Sequence, residues 1–418
     1  MKIAIGILGF AIGKGGSQRA AAGLANELFA RGHEPVVLCQ DYGHPPPYPV
    51  NEGVRTYFVP PRLHSEGANA DVRAVRGFLA HEAPDAFISM EWGYPHMLWA
   101  LACLGTGIPF ICSERTDPRH MEKTWSRPGR YAVLAASDFI HELSPVHSGT
   151  IPEFCQEKAR VIPNAAPESG LTATPETATS LLFLGRFMES KRPSLLLEAF
   201  SILAGRFPSW SLDFRGHGPE GENLRRMAAK LHLEGRVSIG PPLENLEKEY
   251  ASAGLYCLPT QIEGFPNSVL EAMTAGLPVV ACADCPAMLP LGQMEAALLA
   301  PRATARSLAD TLAILMANGE MRQQIGRKGK SLCETLYRRE NVYDAWESLL
   351  REAAQIKGET IMDSFGSEPF ASMATLSSAA RREWLYRDFG DPMPGSCAWL
   401  KSRAANFFNT LARKVRNG

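Results

Sequence analysis

Short hydrophobic runs alternate with amphipathic segments along most of the chain, starting at its first residues. Residues 17–32 have the spacing of a helix, with Ser17 as its N-cap and Gly32 as its C-terminal stop. The hydrophobic runs around it have the length and composition of buried strands. Strands that alternate with helices predict a parallel sheet. In the first half of the chain, the predicted strands are 2–8, 34–39, 86–90, 108–113, 139–144 and 159–164.

The alternation stops at residues 165–180 and then begins again. This stretch contains two prolines and many small polar residues, so we predict a linker there. Both series together predict an α/β protein of two Rossmann-like, doubly wound domains, 1–168 and 180–345, that face a cleft. In the second series, the predicted strands are 181–185, 211–216, 237–241, 255–260 and 278–283, and the predicted helices are 192–207, 222–233, 305–318 and 341–355.

Residues 346–418 are predicted to form a C-terminal helical extension, a helix followed by a basic amphipathic tail. In the segment 399–418, apolar residues fall on one helix face, and the remaining positions carry basic residues and no acid. The tail either docks on the protein's own surface or lies on an anionic membrane. The apolar positions are Leu400, Ala404, Phe407, Phe408, Leu411 and Val415, and the basic ones are Lys401, Arg403, Arg413, Lys414 and Arg416.

Composition and charge narrow the class of protein. The 418 residues are 45% hydrophobic and 21% charged, and the formal net charge is -1, so we expect no nucleic acid among the partners. No apolar stretch reaches the ~18 residues of a membrane span. Nine cysteines at irregular spacing predict free thiols in a reducing compartment, hence the cytoplasm. Cys282 and Cys285 lack further zinc ligands nearby in sequence, which favours a simple loop.

The segment EGFPNSVLEAM, from Glu263 to Met273, carries the clearest chemical signal. It follows the predicted strand 255–260 and leads into a helix that Asn267 or Ser268 would cap, with Pro266 in its first turn. One glutamate therefore lies in the loop, and Glu271 lies within the first two turns of the helix. Because a carboxylate can accept hydrogen bonds from adjacent hydroxyls, the pair indicates a sugar or ribose site.

Cationic residues follow another predicted strand of the same domain. Arg186 and Lys191 come after the strand 181–185, where Gly185 allows close backbone approach, and they could neutralise a phosphate group. A further glycine-rich turn, RGHGPE, contains Gly216. Each feature alone is also compatible with ordinary surface residues. Their order and their shared position after strand ends favour one site.

Together these motifs resemble the retaining glycosyltransferases of family 4, which have the GT-B fold. The resemblance covers about residues 1–355 and is strongest in EGFPNSVLEAMTAGLPVVA at 263–281. The segments GKGGSQR, VIPNAA, GRFMESKRP, RGHGPE and RVSIGP match other elements of that family in its order. The resemblance implies that Glu271 binds the ribose of a nucleotide-sugar and that Glu263 lies beside the transferred sugar. It also implies that Gly264, Phe265 and Asn267 make backbone or side-chain contacts there.

The resemblance assigns the leaving diphosphate to Arg186 and Lys191. Gly15, Gly16 and the helix after them would close on the diphosphate or sugar from the first domain, and Gly216 would contact substrate in the second. The sequence contains no D-x-D motif, so we expect no metal ion and no cofactor, with the nucleotide-sugar donor as a substrate.

One segment departs from the family pattern. Where many members have a histidine after a strand of the first domain, this chain has SERTDP, with Glu114 and Arg115 at the comparable position. This variant is similar to that of some bacterial members that build surface polysaccharides or lipid-linked oligosaccharides. We therefore take Arg115 as a candidate substrate-binding residue.

These observations predict a metal-independent, retaining hexosyltransferase that uses a UDP- or GDP-sugar. Its acceptor would be a glycan or a lipid-linked molecule, in surface polysaccharide or glycoconjugate synthesis. We expect a cytoplasmic protein, and a tail that binds lipid would make it peripheral on the inner face of the membrane. Two alternatives remain: a GT-B nucleotide-sugar epimerase, and a non-catalytic scaffold that binds glycan or membrane.

Overall fold

The computed structural model describes residues 1–12, 15–59, 68–91, 93–103, 105–123, 127–242 and 245–358. The chain divides into two compact units. Among the described residues, the first comprises those of Met1–Ile162 and 343–358, and the second comprises those of Pro163–Val342. These limits differ from the predicted extents at 163–168 and 343–345, and the predicted third segment begins inside a helix that returns to the first unit.

A parallel sheet forms the centre of the first unit. Among the described residues its strands are β1 (Lys2–Gly6), β2 (Glu34–Gln40), β3 (Arg55–Val59), β4 (Ala86–Ser89), β5 (Phe110–Glu114), β6 (Phe139–Glu142) and β7 (Ala159–Val161). Their order is β3-β2-β1-β4-β5-β6-β7, and each neighbouring pair is parallel. The order reverses between β1 and β4, which places the connecting helices on both faces of the sheet.

The first helix has its N-cap two residues earlier than the sequence predicts. Gly15, with an extended backbone, is its N-cap, so the prediction of Ser17 as the cap is wrong. Glycine is tolerated at an N-cap because it crowds no backbone group there. At the other end, Gly32 has a φ of +80°, which confirms it as the stop. Before Ile162, the described helices of the first unit are α1 (Gly16–Ala30), α2 (Ala68–Glu82), α3 (Tyr94–Cys103), α4 (Pro118–Met121) and α5 (Arg127–Ala136).

The second unit repeats this architecture. In the part of the chain that the structure describes, its strands are β8 (Ser180–Leu184), β9 (Ser211–Arg215), β10 (Val237–Gly240), β11 (Leu255–Leu258), β12 (Val279–Cys282) and β13 (Ala297–Ala300). Their order is β10-β9-β8-β11-β12-β13, again with parallel neighbours. The reversal now falls between β8 and β11. The prediction of two Rossmann-like domains is confirmed.

In this half of the chain, the described helices are α6 (Pro193–Leu203), α7 (Gly221–Lys230), α8 (Leu246–Ser252), α9 (Asn267–Thr274), α10 (Leu289–Gln293), α11 (Ala305–Met316), α12 (Gly319–Glu334) and α13 (Arg339–Gln355). Sequence prediction missed α8, α10 and α12. Pro193 occupies the first position of α6, as expected for a residue without a backbone N–H. At α9, however, Pro266 is the N-cap and Asn267 the first helical residue, so neither Asn267 nor Ser268 caps the helix.

Residues 165–180 are not a free spacer. The Ala166 N–H donates to the Tyr337 carbonyl at 2.8 Å, and the Ala173 N–H donates to the Ala275 carbonyl at 2.7 Å. The buried guanidinium of Arg322 donates to the carbonyl of Pro175 at 2.6 Å. Small polar residues without the periodicity of a helix or a strand predict a linker. Here, however, their backbone groups form hydrogen bonds with other residues of the second unit.

Aromatic side chains fill the two cores. In the first unit, Phe87 lies between Trp99 and Phe110, and a Cβ at Gly6 would come within 2.7 Å of the Trp99 ring. The returning helix α13 adds Trp346, whose ring lies 4.4 Å from that of His141. In the second unit, the cluster is Phe183, Phe187 and Phe214.

Two strands escaped sequence prediction, β3 and β13. β3 is an edge strand with a largely exposed surface, so it shows little hydrophobic pattern, and β13 has only four residues. The eight cysteines described are buried and free. The tail 399–418 lies outside the described residues. Within those residues, no helix is both long and apolar enough to cross a membrane.

Candidate functional site

The loops at the carboxyl edge of the second sheet are tied together by hydrogen bonds. After β8, a single 3₁₀ turn covers Glu189–Lys191. The Ser190 carbonyl in this turn accepts from the Gln261 N–H at 2.9 Å and from the Thr260 hydroxyl at 3.2 Å. The turn after β8 is therefore fastened to the loop after β11, which carries Glu263.

This fastening brings two predicted site residues into direct contact. The Lys191 ammonium and a Glu263 carboxylate oxygen form an ion pair. The two side chains are 19% and 11% exposed, so water reaches the pair but does not surround it. A partly buried pair of this kind is less screened than a surface salt bridge.

Arg192 holds the backbone next to Lys191. It has a φ of +51° and is the N-cap of α6. Its guanidinium makes two hydrogen bonds to the Asp284 carboxylate, at 3.0 and 2.7 Å. Because a bidentate pair constrains both partners, it fixes the turn that presents Lys191. Sequence reasoning missed this pair, since Asp284 comes from a distant loop after β12.

Arg186 lies on the same edge of the sheet, two residues beyond β8, and its side chain is exposed. Its neighbour Phe187 is buried among Phe183 and Phe214, which anchors the backbone at this point. The position at a strand end agrees with the predicted site. The contact of Arg186 with a phosphate stays a prediction.

Gly216 is explained by a close approach of two loops. The Gly216 N–H donates to the Gly240 carbonyl at 2.9 Å, and the Gly185 N–H donates to the Arg215 carbonyl at 3.0 Å. Gly216 has a φ of +156°, and a Cβ there would lie 1.9 Å from the Gly185 carbonyl oxygen. Glycine is therefore required by the backbone itself, and a substrate contact from Gly216 stays a prediction.

Glu271 projects from α9 and is held by a tyrosine of the preceding helix. The Tyr250 hydroxyl of α8 donates to Glu271 Oε2 at 2.7 Å. No side chain caps the start of α9, where Asn267 is half-buried. Sequence reasoning missed Tyr250, which lies 21 residues before Glu271 on another helix.

Gly264 and Phe265 form the buried part of the loop. The Phe265 ring packs against Tyr337, with centroids 5.2 Å apart, and its carbonyl accepts from Asn164 Nδ2 at 2.9 Å. The side chain of Phe265 therefore belongs to the core, so only its backbone remains as a predicted substrate contact. Asn164 was not among the predicted site residues. It lies in the VIPNAA segment, and the match of this segment to the family pattern is the signal in the sequence that pointed to it.

In the first unit, Arg115 directly follows β5 and is half-buried. Burial lowers the pKa of its guanidinium to about 10. Gly15 and Gly16 open α1 with no side-chain cap, and a Cβ at Gly15 would lie 2.2 Å from Gln18 Oε1. The roles of these three residues in substrate binding stay predictions.

A buried ionic network supports the strand ends around Arg115. Arg130 donates from Nε and Nη2 to the two oxygens of Glu114, at 2.7 and 2.8 Å. Its Nη1 donates to Glu122 at 3.0 Å. Glu142 lies opposite Glu114 in the sheet register, and burial raises the pKa of its carboxyl to about 7. Arg130 is fully satisfied in this network, so it acts as a structural cation.

Burial has a similar effect on another carboxyl of the first unit. Glu91 follows β4 and accepts from the Gly9 N–H at 3.4 Å, and burial raises the pKa of its carboxyl to about 7. Gly9 follows β1 and Glu91 follows β4, and the strand order of the first sheet reverses between these two strands. Sequence reasoning missed Glu91, since no motif surrounds it.

Two doubly wound parallel units, one of which holds a Lys–Glu pair on the loop that leads into the helix of Glu271, agree with an enzyme of the glycosyltransferase class. Two family models match the chain, Glycosyl transferase 4-like domain over residues 15–196 and Glycosyl transferases group 1 over residues 170–332. The chain belongs to the family-4 type of glycosyltransferases with the GT-B fold.

Individual relatives agree with this assignment. An uncharacterized glycosyltransferase of Haemophilus influenzae is 27% identical over 347 residues, which cover 80% of this chain and 96% of the relative. The lipopolysaccharide core biosynthesis glycosyltransferase LpsE of Rhizobium meliloti is 27% identical over 177 residues, 42% of this chain and 51% of the relative. The solved structure of Anabaena HepE in complex with UDP and glucose has a TM-score of 0.67 at 17% identity and covers 84% of this chain and 99% of that one.

Proposed function

We propose that the protein transfers a hexosyl group from a UDP- or GDP-sugar, with retention and without a metal ion. The observation that carries this proposal is the ion pair between Lys191 and Glu263, placed on the loop that leads into the helix of Glu271. One cation and two carboxylates at one sheet edge suit a ligand that carries a diphosphate between two sugars.

In the ion pair, Lys191 and Glu263 each have a partner that a group of the nucleotide-sugar donor could replace. A diphosphate oxygen would take the place of Glu263 beside Lys191, and a sugar hydroxyl would take the place of Lys191 beside Glu263. Arg186 would supply a second cation for the diphosphate. Negative charge develops on the diphosphate as the glycosidic bond breaks, so a fixed cation there lowers the barrier directly. Retention would follow if the acceptor attacks from the same face and a leaving phosphate oxygen takes its proton.

The acceptor is proposed to be a glycan or a lipid-linked molecule. LpsE takes part in lipopolysaccharide core biosynthesis, which supports an acceptor of the cell surface. Arg115, Gly15 and Gly16 are the first-unit residues proposed to contact substrate. The tail 399–418 would add attraction to an anionic membrane, in line with a cytoplasmic enzyme at its inner face.

Donor selection is the direct test. The protein is incubated with UDP-, GDP- and ADP-sugars, and thermal shift and donor hydrolysis are measured with and without EDTA. We expect one of these nucleotide-sugars to raise the melting temperature of the protein and to be hydrolysed at the same rate with and without EDTA. Glu263→Ala should abolish turnover, whereas Glu222→Ala, a change at an exposed carboxylate of α7, should leave it intact. Loss of activity in EDTA would contradict the metal-independent mechanism.

The products distinguish the alternatives. A glycoside with the donor's anomeric configuration, identified by NMR, supports the retaining transferase. An epimerised nucleotide-sugar would indicate the epimerase instead. A Glu263→Ala variant that still supports normal surface glycan in cells would favour the non-catalytic scaffold.

A further inference from the structure

We infer that Tyr250 is a positioning residue for ribose recognition, because its hydroxyl holds the carboxylate of Glu271. This inference rests on the proposed function, in which Glu271 binds the donor ribose. Tyr250 would not touch the reacting atoms. It would act by fixing the orientation of the side chain that binds the two ribose hydroxyls.

The contact is short and well supported. Tyr250 Oη lies 2.7 Å from Glu271 Oε2, a distance typical of a hydroxyl that donates to a carboxylate. Hydrogen bonds to an ionised acceptor are roughly twice as strong as neutral ones. The Tyr250 side chain is only 2% exposed, so water does not compete freely for its hydroxyl.

A second tyrosine fixes the first. The Tyr256 ring, on β11, meets the Tyr250 ring edge to face with centroids 5.8 Å apart. The Tyr256 hydroxyl donates to the Leu184 carbonyl, at the end of β8, at 3.0 Å. The Tyr250 ring is therefore packed against the sheet, and its hydroxyl is presented to α9 in one place.

Hydrogen-bond capacity allows the carboxylate to hold this contact and the ribose together. An ionised carboxylate has about four lone-pair sites, enough for Tyr250 and two adjacent ribose hydroxyls. Without the Tyr250 hydroxyl, the Glu271 side chain would sample more rotamers and would have to be ordered when the ligand binds. The cost should appear only with a ligand whose ribose hydroxyls Glu271 binds.

The experiment compares ribose with deoxyribose ligands. Calorimetry measures the affinity of the full chain for UDP and GDP, and for the 2′,3′-dideoxy form of whichever binds more tightly, which lacks both ribose hydroxyls. We expect wild type to prefer the ribonucleotide. Tyr250→Phe should weaken ribonucleotide binding about tenfold, the change that corresponds to 1.4 kcal/mol, and leave deoxy binding nearly unchanged. Tyr256→Phe removes the neighbouring hydroxyl without touching Glu271, so the preference for ribose should remain.

Other outcomes overturn the inference in distinguishable ways. Equal loss for ribose and deoxyribose ligands in Tyr250→Phe would assign the residue a purely structural role. If Tyr250→Phe binds the ribonucleotide as tightly as wild type does, Glu271 needs no positioning by Tyr250. If wild type binds both ligand types equally and Lys191→Met weakens both, the donor site stands and the ribose role falls. If wild type binds neither nucleotide, the proposed function fails, and this inference fails with it.

Discussion

Glu142 provides a stability prediction that follows from its surroundings. Its side chain is 1% exposed at the end of β6, opposite Glu114 in the register. Burial raises the pKa of its carboxyl from 4.5 to about 7, against a hydrogen bond from Ser148. The folded protein therefore holds a proton here that the unfolded chain releases near pH 4.5.

The sign and size of the effect follow from this difference in pKa. Because the folded pKa is raised, the folded state loses stability as the pH rises from 4.5 to 7, and the loss is complete above pH 7. One pKa unit corresponds to 1.36 kcal/mol, so about 2–3 kcal/mol is lost between pH 5 and pH 8. Glu142→Gln keeps an oxygen that can accept from Ser148 and carries no charge. The variant should therefore gain about 2–3 kcal/mol relative to wild type over that interval.

Urea unfolding at pH 5 and pH 8 measures the difference. Tryptophan fluorescence reports mainly the first unit, since Trp210 is the only one of the seven tryptophans within Pro163–Val342. Comparison of variant with wild type at each pH cancels the other titrating groups. Glu153→Gln, a change at an exposed residue of the same unit, is the control and should show no pH-dependent difference. A Glu142→Gln effect that is equal at both pH values would refute the reasoning.

Three further predictions concern packing, charge and the tail. Gly216→Ala should destabilise the second unit by about 1–3 kcal/mol, measured by hydrogen exchange of the backbone amides of β8 and β9, because the new Cβ meets the Gly185 carbonyl. Arg130→Met should cost the first unit about 3–5 kcal/mol, and a second change, Glu114→Gln, should recover part of it by removing the uncompensated charge. Deletion of 399–418 should weaken sedimentation with anionic vesicles, most at low salt, whereas unchanged sedimentation would contradict a membrane role for the tail.

The amino-acid sequence by itself determined the architecture and the positions of the candidate site residues along it. Alternating strand and helix patterns specified two parallel, doubly wound units because buried strands and amphipathic helices have different periods. Their strand ends located Arg186, Lys191, Gly216 and Glu263, since the carboxyl ends of parallel strands share one edge. Local patterns did less well at helix starts, where a cap depends on the path of the preceding loop, as at Gly15.

Tertiary structure alone decided which of these groups meet. Lys191 reaches Glu263 because hydrogen bonds to the Ser190 carbonyl join two loops about 70 residues apart in the chain. Tyr250 reaches Glu271 because α8 packs beside α9. Phe265, which the family pattern places at the sugar, turns its ring to Tyr337 in the core. Such contacts depend on how elements pack in three dimensions, which hydrophobic periodicity along the chain does not encode.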